Sequence, residues 1–509
     1  MRKRERAWLI LLLAAFFALN LSSLTRFPLV HSDEAWLAGL TRHMMEEGSF
    51  GVTEPFFDLK PRYPHAIKLL FHLMQMPFLS AFGHGAWSAR LLSLLGGVLA
   101  LYLFFRCCRS VAPFHSALGS TALCALSGQF LFAAHTARQE ILMLCALLAL
   151  TLVLLEGKGT VSARRAAALG ALTGLAVGLH PNSLLLALGV GLSFIGLMLA
   201  GRRGLLKPLL VYIAVTGALA LCFVALSFAF DRQFPAHYRM YGETEFELSA
   251  SPWAKVREFP LYLEKLWHGV SGTYLLPSLK AQLILIPPLL IWATVRAVNT
   301  RAAEPIILLG MIGGALSGTI VIGRYNQLSA SLWMLPCLLL IPWLLKGVPL
   351  RRWALVLLAG AFAFSSGHSI APMLASRYED YLRQAAAFAQ PGERTLANLS
   401  LGFYFDDGAL LDLRNLSYLQ ENNLSFADYV RSRGIRVILW PEEMDFIYNR
   451  RPAWNMIYGN PRYVPEAEAF LAEHCTPLGT FESGGYAVRI AQEVGKPYRV
   501  KAYRVNGSP

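Results

Sequence analysis

The stretch RFPLVHSDEAWLAGL, residues 26–40, follows a run of nineteen residues, Ala7 to Thr25, that carries no charge. A run of that length crosses the hydrocarbon core of a bilayer as a helix. Two adjacent acids, Asp33 and Glu34, stand just past its end, with His31 two residues before them. Charge at the edge of a membrane is costly unless it has a partner or a task. The stretch therefore marks where a first membrane span gives way to an interfacial loop.

The same pattern recurs along the chain. Of 509 residues, 55% are apolar and only 15% are charged. Apolar segments near the length of a crossing are expected as spans at 7–26, 88–105, 113–134, 139–155, 165–180, 183–200, 208–230, 279–296, 304–322, 328–345 and 353–371. That predicts a polytopic α-helical membrane protein of about eleven transmembrane helices, with 139–155 and 165–180 short for the task. Such runs stop near residue 374. The chain is thus read as a transmembrane part, 1–374, and a soluble α/β part, 375–509. The formal net charge of +14 suits Lys and Arg gathered in cytoplasmic loops. No basic stripe with interleaved aromatics argues for nucleic acid. The seven cysteines form no CxxC pair, which speaks against a disulfide framework or a thiolate metal site.

Basic loops give the orientation. MRKRER at the start, RCCR (106–109), EGKGTVSARR (156–165), GRRG (201–204), RAVNTR (296–301) and KGVPLRR (346–352) fall on alternate connections. Alternation of this kind places the N-terminus in the cytoplasm, with the first span uncleaved. The outer face then receives the loop 27–86, HTARQ (135–139), HPN (180–182), the loop 231–278, GRYNQ (323–327) and the tail. In the tail, FADYVRSRGIRVILW (426–440) reads as a helix stopped at Gly434 and followed by a buried strand. Further strands are expected near TLANLSL (395–401) and YAVRIA (486–491). The NxS triplets at Asn398, Asn415 and Asn423 are read as chance.

Loop 27–86 is too long to be a plain connector. It holds an amphipathic helix, AWLAGLTRHMMEEG, ending at Gly48. Lys60, Arg62 and His65 follow in a segment expected to lie along the interface. A third acid, Glu140, sits beside Arg138 at the tight turn after the third span. Arg324 and Tyr325 lie at a later turn on the same face. Acids and bases converging at an interface suit a reaction whose leaving group is a lipid-borne phosphate. A carboxylate takes the proton of an attacking hydroxyl, a second acid holds a hard divalent cation, and Lys and Arg neutralise the departing phosphate. Each residue has a plainer reading beside this one. Asp33 caps the following helix, Glu140 pairs with Arg138 or His135, Arg324 snorkels, and His31 makes local hydrogen bonds.

In order along the chain, HSDEAW, FGHGAWSARLLSLLGGVLALYLFFRCCR, SGQFLFAAHTARQEILMLCALLAL, GLAVGLHPNSLLLAL and GRYNQLSASLWMLP resemble motifs of the GT-C membrane glycosyltransferases. The resemblance covers about residues 7–345. It is closest to the group of protein O-mannosyltransferases and lipid A aminoarabinose transferases. It implies a GT-C fold and transfer, with inversion, of a sugar from a polyprenyl-phosphate carrier to a lipid, glycan or protein hydroxyl at the outer face of the cytoplasmic membrane. It also implies Asp33 as catalytic base supported by Glu34, and a divalent metal cation near Asp33 and Glu140. Lys60, Arg62, His65, Arg138, Arg324 and Tyr325 are its candidates for the donor phosphate. Either Lys60-Pro61 or His65-Ala66 matches the family's K-P-P or H-P-P element. Gln139 stands where the family usually has proline, Trp36-Leu37 where it often has R-Y, and KPRYPHA lacks adjacent prolines. One rival reading is a transporter or flippase that moves the lipid-linked sugar without cleaving it, and a second is a non-catalytic scaffold or sensor that acts through the tail.

Overall fold

A computed structural model describes residues 2–246, 251–271, 274–275, 277–349, 351–450, 462–487 and 497–507. The chain begins with α1 (Lys3–Leu21), α2 (Ser32–Glu46), α3 (Leu69–Phe82) and α4 (Ala86–Val111). It continues through α5 (Phe114–Ala125), α6 (Gly128–His135), α7 (Glu140–Glu156), α8 (Ala163–Leu175), α9 (Ser183–Leu199) and α10 (Leu206–Phe230). After α11 (Phe234–Phe246) and α12 (Pro252–Trp267), strands β1 (Val270–Ser271) and β2 (Tyr274–Leu275) pair antiparallel. The helical part closes with α13 (Lys280–Thr300), α14 (Ala303–Ile322), α15 (Gln327–Cys337), α16 (Leu340–Leu344) and α17 (Arg351–Leu374).

A helix occurs at each expected span, but the expected count of eleven crossings is not reached on length and hydropathy. Among the described residues six helical runs qualify, and a seventh if α5 and α6, bent by 65°, count as one. The shortfall has local causes. α1 opens on Lys3, Arg4, Glu5 and Arg6, α7 and α9 have 17 residues each, and α8 has 13. At about 1.5 Å per residue the last three fall short of a 30 Å core. The multi-pass membrane character itself stands.

The helices share one large apolar core. α9 and α14 approach backbone to backbone: a Cβ on Gly314 would lie 2.1 Å from the Gly189 nitrogen. Small residues at such crossings allow the close packing on which membrane helices depend.

The tail carries α18 (Tyr378–Ala386), β3 (Thr395–Ala397), β4 (Leu410–Asp412), α19 (Phe426–Ser432), β5 (Val437–Pro441), α20 (Glu442–Arg450), the helix Tyr463–His474, β6 (Cys475–Ser483) and β7 (Tyr498–Val505). Its sheet has the order β4-β3-β5-β7-β6. β3 runs parallel to β4 and β5, while β7 is antiparallel to β5 and β6. The stop at Gly434 is real, with φ +61°. Of the expected strand at 486–491, residues 488–491 lie outside the described residues. So do residues 247–250, 272, 273 and 276 of the loop 231–278.

The tail is packed onto loop 27–86. Val30, Ala35, Ala38, Phe56 and Phe57 belong to the same apolar cluster as Tyr378, Tyr381, Leu399, Leu401, Phe405 and Tyr486. The Ala487 amide donates to the Val30 carbonyl at 2.9 Å.

Candidate functional site

The site is assembled where the connections after α1, between α2 and α3, between α6 and α7, before α9 and after α14 come together. α2 starts it. Its N-terminal hydrogen bonds are satisfied by neighbours of Asp33, not by the Asp33 side chain. The His31 Nδ1 accepts from the Asp33 amide at 3.0 Å, and the Glu34 carboxylate accepts from the His31 amide at 3.0 Å. The Asp33 carboxylate meets Arg138.

Glu34 is buried at 1% exposure and faces the fold. Arg90 of α4, itself fully buried, grips it with Nε and Nη2, each at 2.7 Å. Glu34 also accepts from the Ala137 amide at 2.8 Å, in the turn between α6 and α7. Through Nη1, Arg90 reaches the carbonyls of Leu24 and Pro28 at 2.8 Å. This one carboxylate therefore fixes α2, α4 and the 136–139 turn relative to one another.

That turn presents Arg138. Its Nη1 donates to Asp33 at 2.5 Å, while Nη2 and Nε reach the two oxygens of Glu140 at 3.2 and 3.4 Å. Glu140 is 2% exposed and opens α7, where the helix dipole favours an anion. Asp33 is more accessible, with a side-chain exposure of 22%. The partner of Glu140 is Arg138. His135 instead turns its Nδ1 to the Leu131 carbonyl. The two acids from separate loops thus meet around one guanidinium.

The expected phosphate-binding residues divide. Arg62 is held by Glu54 through two hydrogen bonds of 2.7 and 2.8 Å. Burial opposes the Glu54 charge, yet Arg62 and the Trp36 indole hold its carboxyl down at about 2. Lys60 and Arg62 stack on Trp36 at 5.1 and 4.9 Å, joined there by Arg414 of the tail at 4.8 Å. Burial, then the charges of Lys68 and Arg62, lower His65 to about 3. A neutral imidazole offers little to a phosphate. Tyr325 donates its hydroxyl to the Lys255 carbonyl and stacks on Tyr262, 5.2 Å away, so it braces α12.

Lys68 was not expected. It immediately precedes α3 in a left-handed conformation, φ +96°. Burial, then the charges of Arg324, Arg62 and Arg138, lower its ammonium to about 8, with Glu54 alone opposing. It forms no ion pair with a carboxylate among the described residues. His180, before α9, is buried and feels Lys68, Arg138 and Arg324 together. Lys68, His180, Arg138 and Arg324 thus lie within electrostatic reach of one another. The sequence signal was a lysine at the N-terminus of an apolar helix, where the dipole disfavours a cation.

Neither a protein-family model nor a curated protein sequence matches the chain. Solved structures do. The archaeal oligosaccharyltransferase AglB from Archaeoglobus fulgidus, in complex with an inhibitory peptide and a dolichol-phosphate, matches with a TM-score of 0.55 at 13% identity, over 91% of this chain and 72% of that one. The oligosaccharyltransferase of the same organism in complex with Zn and sulfate matches with a TM-score of 0.56 at 14% identity, over 92% and 71%. The chain has the GT-C fold. ArnT from Cupriavidus metallidurans, in the apo state, aligns over 84% of this chain and 94% of that one at 17% identity, with a TM-score of 0.46.

One of these GT-C structures holds Zn. In this chain the divalent cation expected near Asp33 and Glu140 does not fit the residues present. The Arg138 guanidinium lies between the two acids. Among the described residues no three His, Cys, Asp or Glu side chains converge as a ligand set.

Proposed function

We propose that this GT-C chain is a glycosyltransferase that moves a sugar from a polyprenyl-phosphate carrier to an acceptor hydroxyl on the outer face of the cytoplasmic membrane. In this reading the N-terminus is cytoplasmic and the tail from residue 375 extracytoplasmic. The observation that carries it is the meeting of Asp33 with Arg138 and Glu140 beside the cations Lys68 and Arg324. A partly exposed carboxylate stands next to a cluster of cations. That combination suits proton removal on one side of a scissile bond and charge neutralisation on the other.

Asp33 takes the proton of the acceptor hydroxyl. The hydroxyl oxygen attacks the anomeric carbon as the bond to phosphate oxygen breaks, which inverts the configuration. The leaving phosphate carries away the electron pair, and Lys68, Arg324 and Arg138 stabilise its charge. Lys60 and Arg62, stacked on Trp36, line the approach from the tail. The lipid of the donor lies along the helices. The dolichol-phosphate in the AglB complex agrees with a carrier of this class. The acceptor is a lipid, a glycan or a protein, and the sugar a hexose or pentose.

The test uses purified protein in liposomes with labelled polyprenyl-phosphate sugars, read as release of the free lipid phosphate. Asp33→Asn is expected to lower release by about 100-fold or more at unchanged melting temperature. Full activity in that variant ends the mechanism. Mass spectrometry of envelope glycolipids and glycoproteins from a deletion strain and its parent then identifies the sugar and the acceptor.

A further inference from the structure

Two carboxylates brought from separate loops repel each other, and burial deepens the repulsion by removing water. Asp33 and Glu140 are in that position. Something positive must stand between them for the turn to close. A divalent ion is one solution, and it needs about six oxygen ligands. Three of the donor groups near the pair are committed. Glu34 holds Arg90, Glu54 holds Arg62, and the His180 Nδ1 accepts from the Asn182 amide at 3.0 Å.

The other solution is a cation supplied by the chain. A guanidinium offers five N–H donors in a planar fork and keeps its charge at any working pH. Arg138 uses opposite edges of that fork, one for Asp33 and one for Glu140. Its backbone is held by Glu34 at the Ala137 amide and by a 2.7 Å bond from its own amide to the Thr136 carbonyl. The side chain is 9% exposed, so an entering metal ion would have to displace it from both partners.

We propose that Arg138 is the resident cation of the Asp33–Glu140 pair, in the place a divalent ion would take, and that transfer by this chain needs no metal. The proposal rests on the transferase reading of the same pair. It makes Arg138 a positioning residue for Asp33 that also faces the departing phosphate.

The experiment titrates the full-length protein in detergent with Mn2+ by calorimetry, alongside transfer assays before and after chelation and dialysis. Wild type is expected to bind no Mn2+ at the site and to keep its activity within about two-fold after chelation. Arg138→Ala is expected to lose about 100-fold or more in transfer. It should also gain saturable Mn2+ binding, because the two acids are then open. Adding Asp33→Asn to that variant should abolish the new binding, and free guanidinium ion should restore part of the Arg138→Ala activity.

One equivalent of Mn2+ bound by wild type, lost in Asp33→Asn and needed for transfer, overturns the inference and leaves the transferase reading intact. Absence of lipid-phosphate release by wild type from any donor overturns the transferase reading, while the titration still decides the cation. If Arg138→Ala does not fold, titration and chelation of the wild type decide the matter alone.

Discussion

Asp33 and Glu34 are neighbours in the chain but differ in surroundings, because a helix start turns successive side chains about 100° apart. One is packed against Arg90 inside the fold and the other, more exposed, meets Arg138. Lys68 lies within the field of Arg138, and its chemistry gives a pH test. Burial and the charges of Arg324, Arg62 and Arg138 bring its ammonium to about 8. It is charged below that pH and neutral above. A phosphodiester keeps its single charge throughout the range, so only the protein titrates. Affinity for a non-cleavable polyprenyl phosphosugar analogue is expected to be flat below about pH 7 and to fall above about pH 8, by tenfold per unit at most. Lys68→Met should bind weakly with no such slope. For stability without donor the sign reverses. The folded value lies below the ordinary lysine value of 10.5, so the unfolded chain holds more protons between the two, and stability rises with pH there. A flat wild-type binding curve across pH 8 excludes Lys68 from the phosphate site.

At the scale of elements, the Glu34–Arg90 pair clamps α2, α4 and the turn before α7. Removing one partner of a buried ion pair leaves the other charge stranded, at a cost of about 3–5 kcal/mol. Glu34→Gln and Arg90→Leu are each expected to lower the melting temperature in detergent. The double variant should cost little more than either single one, because the two act as a unit. Additive losses would mean that the clamp is not shared. The contrast with Asp33→Asn, where activity falls and stability holds, separates the two acids. This element was only half legible in the sequence. The apolar runs and the acids at their ends are local patterns, so a helix at each run and the acids beyond the first one could be read directly, but not how many of those helices are long enough to cross. Arg90 lies inside the apolar stretch that begins FGHGAWSAR and does not stand out there, although a charge within a span calls for a partner. That its partner is Glu34, 56 positions away, depends on tertiary packing. Lys68 escaped for the same reason, since its surroundings come from Arg62 of its own loop and from Arg138 and Arg324, which lie on two other turns.

Over the whole molecule, the tail and loop 27–86 share cores, and this bears on what the tail is for. Leu59 lies in the tail cluster with Trp440 and Tyr429, and Arg414 stacks on Trp36, three residues past Asp33. Asn415, fully buried, joins the parts. Its Oδ1 accepts from the Leu59 and Lys60 amides at 3.3 Å, and its Nδ2 donates to the Phe56 carbonyl at 2.9 Å. Asp58 adds bonds to Arg433 at 2.5 Å and Tyr429 at 2.9 Å. A tail that only shielded the site would not need to supply backbone partners to the segment that carries Lys60 and Arg62. Asn415→Ala leaves buried backbone groups without partners, at about 1–3 kcal/mol for each one unsatisfied. Because loop and sheet lie in one packed unit, the loss should spread to both. Hydrogen exchange is expected to rise together in residues 54–62 and 395–416, while α4 and α7 remain protected. The same variant should transfer more slowly although no residue touching the reacting atoms has changed. If exchange rises in the tail alone and transfer is untouched, the tail is an independent appendage and the outer loop organises the site without it.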